Sequence, residues 1–251
     1  MIREWKTEWM KVRYRKIGLL IAAFLGLVVL WVIWALSDAP AEKIWDGYRM
    51  MFLQISLMDT ILLPTMIAML ASRLCDAEVK GDTLKLLCTM EKKGRLFDMK
   101  FLMGAVYLAA FVAAEVCMIL AAGVLYGYGR PLEPVHILYF VTGIYLVSLA
   151  VLLLQQILSF FFENQILPLA AGLFGSFVGL FCWFFSGSPV RKCFLWGFYS
   201  LFCFINYDWD ETTRIITYYN VPFDIGSLIL LLVILILGYG FGKILFLRKE
   251  I

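Results

Sequence analysis

Six long apolar runs separated by short polar segments set the pattern of the chain, at 17–36, 50–72, 101–126, 135–162, 166–186 and 225–247. Each is close to the ~20 residues with which a helix crosses a hydrocarbon core. Lipid offers no partner to backbone N–H and C=O groups, so every run is predicted to be helical. The runs are continuous, whereas barrel strands would alternate in short segments. The pattern therefore predicts an all-α membrane protein whose six spans form a single domain over residues 1–251. The first run is too long for a cleaved signal peptide and has no small-residue cleavage site.

The intervening segments predict three further elements. Ile2, Trp5, Trp9 and Val12 share one helical face in residues 1–16, and Arg3, Lys6 and Arg13 occupy much of the rest, together with Glu4 and Glu8. Tryptophans favour the headgroup layer and bases favour anionic lipid, so this segment reads as an interfacial helix beneath span one. Residues 73–100 alternate acids and bases and carry leucines at helical spacing, which suits a segment gripped by something in the cytoplasm. Within the outer segment 187–224, residues 192–205 are apolar and aromatic but too short to cross, and predict a re-entrant or interfacial helix.

Charge gives the chain a sidedness. Composition is 63% hydrophobic and 16% charged, with a mean hydropathy of +0.86, against about 25% charged in soluble domains. All but six of the 22 lysines and arginines fall before span one, in 73–100, or at the end of span six. The six are Lys43, Arg49, Arg130, Arg191, Lys192 and Arg214. The positive-inside bias then places both termini in the cytoplasm. The net charge of +3 reflects that sidedness and gives no reason to invoke nucleic acid.

Candidate chemistry is sparse. The six cysteines form no C-x-x-C pair, and His136, the single histidine, has no ligand-spaced neighbours, so no metal site is expected. Neither a P-loop nor H-E-x-x-H nor G-x-S-x-G occurs, so no catalytic residue is assigned and ATP must be bound elsewhere. Two acids lie within spans: Asp59, fourteen residues before Arg73, and Glu115, fifteen after Lys100. At helical rise each sits roughly 21–22 Å from those bases, at similar depth on antiparallel neighbours. Such acids face a cavity or a partner. They can receive a cationic peptide or share a proton; they can equally make structural hydrogen bonds to Gln54, Thr60, Tyr107 or a sister subunit.

Pro64 should kink span two just below Asp59 by leaving the Thr60 carbonyl unbonded. Gly172, Gly175 and Gly179 in span five, and Gly238 and Gly242 in span six, permit close helix contact. In 206–224, Trp209, Tyr218 and Tyr219 accompany Asp208, Asp210, Glu211 and Asp224. Aromatics with acids at the headgroup level suit a cationic amphipathic peptide and also an ordinary anchoring belt.

Glu78, Gly81, Thr83, Lys85, Leu86 and Leu87, followed by Arg95 and Lys100, resemble the E-x-x-x-G-T-x-K-x-L-L … R … K pattern of ABC transporter type 2 permeases. In that family the segment follows span two and carries the coupling helix that docks on the ATPase, as its position here would allow. The basic amphipathic start, six spans and cytoplasmic ends extend the resemblance over the whole chain. Many members have a proline shortly before the arginine, where this chain has Thr89-Met90-Glu91.

The resemblance implies separate ATPase subunits holding ATP and magnesium, and a second permease in a homo- or heterodimer within a bacterial cytoplasmic membrane. Small outer loops and the lack of a fused ATPase look most like lantibiotic-immunity permeases, which expel cationic antimicrobial peptides. Other amphipathic or lipid-like substrates, or a receptor or scaffold without transport, remain the alternatives. Thr83 would cap a helix beginning near Leu84, with Leu84, Leu87 and Met90 presented to a hydrophobic socket. Alternatively, the loop folds against its own bundle through its mixed charges.

Overall fold

The computed structural model describes residues 9–10, 15–37, 44–80, 93–185, 187–212 and 216–249. Six helices among them are long and apolar enough to cross a membrane. They are α1 (Ile17–Ser37), α2 (Gly47–Lys80), α3 (Lys93–Tyr126), α4 (Pro134–Phe161), α5 (Ile166–Phe184) and α7 (Ile225–Arg248). Their even number puts the first and last at the same end of the bundle, here termed the terminal end. α2 is the most buried span and α7 the least. α2 packs chiefly on α5 and α4, while α7 lies against α4 and α3.

Two helices exceed what a bilayer needs. α2 and α3 have 34 residues each, roughly 50 Å at helical rise against a core of ~30 Å. Their excess projects at the terminal end and frames the stretch read as the coupling segment.

Small residues determine how closely α5 approaches the proline-bearing part of α2. A Cβ on Gly172 would lie 2.5 Å from the Ala68 Cβ and 2.9 Å from the Pro64 carbonyl oxygen. One on Gly179 would lie 2.7 Å from the Thr60 Cγ2. Gly175 opens a third notch, filled by the Trp196 indole. Without a hydrophobic force between helices in lipid, such close contact is a main source of association. The obstacle at Gly172 includes backbone that cannot rotate away. Gly172→Val is therefore expected to destabilise the fold by about 1–3 kcal/mol, the usual cost of overpacking. A fall in the melting temperature of the detergent-purified protein would register it; an unchanged value would mean the seam can part freely.

Beyond α5, the segment expected as one re-entrant or interfacial helix takes a different form. Two 3-10 turns, Pro189–Cys193 and Leu195–Gly197, lead into the single helical turn α6 (Phe198–Leu201). An antiparallel hairpin follows, pairing β1 (Ile205–Trp209) with β2 (Ile216–Asn220) so that Tyr207 faces Tyr218 and Trp209 faces Ile216. The helix expected over 192–205 is thus replaced by these turns, while I-N-Y-D-W and I-T-Y-Y-N, for which no element was predicted, carry β-branched and aromatic residues that favour a pleated, half-buried surface. Phe198, Tyr199 and Ser200 are buried, so the turns plug this end of the bundle instead of lying on it. Asp224 then caps α7: its carboxylate accepts from the Ser227 backbone N–H at 2.9 Å and from the Ser227 hydroxyl at 2.6 Å. Those bonds, with Lys192 at 3.0 Å, hold its carboxyl down to about 2.

Most of the expected N-terminal interfacial helix lies outside the described residues. Trp9 and Met10 are helical and exposed. The Trp9 ring stacks on Tyr107 of α3, with centroids 6.3 Å apart.

Candidate functional site

Three regions of the bundle carry the polar chemistry. At the terminal end, the stems of the long helices are tied to the residues just ahead of α1, to α4 and to α7. Arg73 of α2 donates to the carbonyls of Arg15 and Lys16, at 3.0 and 3.2 Å, just ahead of α1. The buried Lys100 of α3 donates to the Leu74 carbonyl at 2.5 Å. Asp98 accepts from Tyr239 at 2.5 Å and from Lys243 at 2.7 Å, joining α3 to α7. Gln156 of α4 donates to the Phe97 carbonyl at 2.9 Å, and Lys249 to the Phe160 carbonyl at 2.7 Å. Charged donors in a low-dielectric setting make the stronger class of hydrogen bond. Force applied to the stems would thus reach α1, α4 and α7 through short, directional contacts.

Of the residues read as ATPase-coupling, Arg95 is exposed on the α3 stem, and Glu78 falls in the last turn of α2. Gly81, Thr83, Lys85 and Leu87 lie outside the described residues. Asp98, Gln156, Tyr239 and Lys243 escaped the sequence reading. The available signal was a lysine interrupting the apolar run of the last helix, four residues after a tyrosine.

Deeper in the bundle, the structure brings Asp59 of α2 and Glu115 of α3 together. Both are fully buried, and their carboxyls are within hydrogen-bonding reach of each other. As carboxylates, none of the four oxygens finds another donor among the described residues. An ionised carboxylate only accepts, so the pair can bond only if one member carries a proton. The expected partners are engaged elsewhere. Gln54 accepts from Trp31 at 3.1 Å, Thr60 accepts from Trp183 at 3.1 Å, and Tyr107 stacks on Trp9. Tyr199 from α6 reaches the electrostatic neighbourhood of both acids, its hydroxyl 3.0 Å from the Ser148 hydroxyl of α4. The plug at the hairpin end is thereby anchored to α4 through Ser148, close to the acid pair.

The hairpin is the third region. Asp208 and Trp209 end β1, Asp210 and Glu211 enter the turn, and all four are exposed. Asp210 accepts from the Thr212 backbone N–H at 2.8 Å and its hydroxyl at 2.6 Å, which shapes the turn. These acids stay at the surface and are not brought to the enclosed pair. Asp224, by contrast, serves as helix cap and Lys192 partner.

Beneath the hairpin, a cavity of about 750 Å³ opens between α2, α5 and the plug. Leu53 and Leu57 form one wall, Leu180 and Phe184 another, and Ile216 and Tyr218 the roof. Among the described residues, Arg191 is the one formally charged side chain in the lining. Its Nη1 donates to the Ser200 carbonyl at 3.4 Å, while its buried Nε finds no acceptor among the described residues.

Residues 5–179 match the family model described as ABC-2 family transporter protein. Among curated proteins and among solved structures, nothing matches the chain. The match spans more than half the sequence, from the N-terminal segment through most of α5, and covers both stems and the acid pair. The chain belongs to the ABC-2 transporter family and is a multi-pass membrane permease subunit of an ABC transporter.

Proposed function

We propose that this subunit exports a cationic amphipathic peptide, of the lantibiotic kind, from the surface of a bacterial cytoplasmic membrane for self-immunity or resistance. ATP and magnesium are held by separate cytoplasmic ATPase subunits. A second permease, identical or different, completes the translocation unit. Both termini and the two stems face the cytoplasm, in keeping with the lysine and arginine bias. Closure of the ATPases drives residues 83–90, and the polar ties of the stems spread that motion to α1, α4 and α7.

The observation supporting the substrate most is the exposed hairpin, where Asp208, Asp210 and Glu211 stand beside Tyr207, Trp209 and Tyr219. Acids attract a cationic peptide and aromatic faces hold its bases and apolar side chains. A lipid-like substrate is the second reading, favoured by the largely apolar cavity under the hairpin. A receptor without transport would neither bring an ATPase with it nor raise its hydrolysis.

The test is affinity purification from the native membrane, followed by ATPase assays with nisin-like cationic peptide. A co-purifying ATPase stimulated by the peptide is the expected result. Neutralising all three acids (D208N/D210N/E211Q) should raise the concentration for half-maximal stimulation several-fold and leave the maximal rate nearly unchanged. The difference should shrink with salt, because exposed charges are screened over about 8 Å at physiological ionic strength. An unchanged dose response at low salt would reduce these acids to loop solvation and move specificity to the aromatics or the partner permease.

A further inference from the structure

We propose that the cavity beneath the hairpin is a binding site for an anionic lipid, whose headgroup meets Arg191 and whose acyl chain lies between α2 and α5. The site is separate from the exposed acids of the hairpin and does not rest on the peptide reading of the cargo. Its volume of about 750 Å³ falls within the ~300–1,000 Å³ common for ligand pockets, which are mostly apolar with a few polar groups that fix orientation. Leu53, Leu57, Leu180 and Phe184 supply the apolar walls, and among the described residues no acid joins Arg191 in the lining.

Charge complementarity selects the occupant. A guanidinium carries five N–H donors in a planar fork. Only a long 3.4 Å bond to the Ser200 carbonyl is made by Nη1, and the buried Nε–H has no acceptor among the described residues. An unsatisfied buried donor on a cation is costly, and a phosphate or carboxylate oxygen supplies what it lacks. A cationic peptide would place like charge against Arg191, so it does not fit this chamber. Trp183 also lines the cavity, held by its bond to Thr60, and provides a reporter inside it.

The experiment uses the purified full-length protein in phosphatidylcholine nanodiscs doped with brominated phosphatidylglycerol or, at equal bromine content, brominated phosphatidylcholine. Tryptophan quenching in wild type minus that in W183F isolates the Trp183 signal. The glycerol lipid is expected to quench it at about tenfold lower mole fraction, the preference worth one charge-assisted hydrogen bond. Arg191→Gln should erase that preference. If this variant fails to fold, Leu57→Phe on the opposite wall offers an independent arm. It should weaken quenching by the anionic lipid several-fold while the melting temperature holds.

Competition identifies the source of the ligand. Displacement by dodecyl phosphate assigns the site to single-chain anionic amphipaths as well, whereas its failure restricts the site to bilayer phospholipid. Equal quenching by the two brominated lipids, a preference that survives in R191Q, quenching unaffected in a folded L57F, or displacement by inorganic phosphate would each overturn the proposal.

Discussion

Leu87→Asp is expected to abolish transport while the protein still reaches the membrane. Under the proposed coupling role, Leu87 enters an apolar socket on the ATPase, and an ionised carboxylate buried there costs several kcal/mol. That loss would remove the contact through which ATPase closure acts. The spans themselves would be untouched, because the substitution lies outside the apolar runs. The expected signature has three parts: normal membrane abundance, loss of ATPase co-purification and absence of peptide-stimulated hydrolysis. Normal co-purification together with normal transport would remove 83–90 from the interface. The mixed charges of the segment would then serve packing against its own bundle.

Asp59 and Glu115 should show the strongest energetic coupling in the bundle. Replacing either by leucine leaves the other buried without a partner, at a cost of about 1–3 kcal/mol or more for a group that retains charge. Replacing both removes the buried polar pair altogether, so the double variant should lose less stability than the two single variants summed. A double-mutant cycle on thermal unfolding in detergent would measure the difference. Additive losses would mean that the two carboxyls do not interact. The isosteric changes separate stability from transport. Asp59→Asn and Glu115→Gln keep the shape and supply an amide donor, and each should preserve folding while weakening export of a cationic peptide. Loss of expression in both would make the pair a structural hydrogen bond alone.

The closeness of Tyr199 to this pair gives the second prediction a mechanical side. The plug carries both Tyr199, bonded to Ser148 near the acids, and Arg191, which lines the cavity, so one short segment connects the hairpin end with the interior. At the opposite end, the polar ties around Lys100 and Asp98 connect the stems to the outer helices of the bundle. The hydrogen-bonded network and the acid pair occupy different levels of α3.

By itself, the sequence determined the membrane class, the helical state and the span positions. An apolar run in lipid has one way to satisfy its backbone, so hydropathy alone locates Ile17–Ser37 or Ile225–Arg248 to within a few residues. It also indicated the shared depth of Asp59 and Glu115, because helical rise converts residue counts into distance. The family was legible from the resemblance carried between Glu78 and Lys100, and the family model matches residues 5–179. Packing decided what spacing does not encode. Depth does not show which face a residue presents, so the meeting of the two carboxyls needed the contact between α2 and α3. The hairpin was not anticipated, because aromatic residues near an interface serve a helix or a strand equally well, and only pairing across 205–220 separates them. Arg191, unremarkable among outer cations in the sequence, acquired its cavity only when Gly197 allowed the chain to fold tightly back on the Arg191 carbonyl. That placement depends on backbone closeness between residues six apart and on two spans far away in the chain, and neither leaves a local signal.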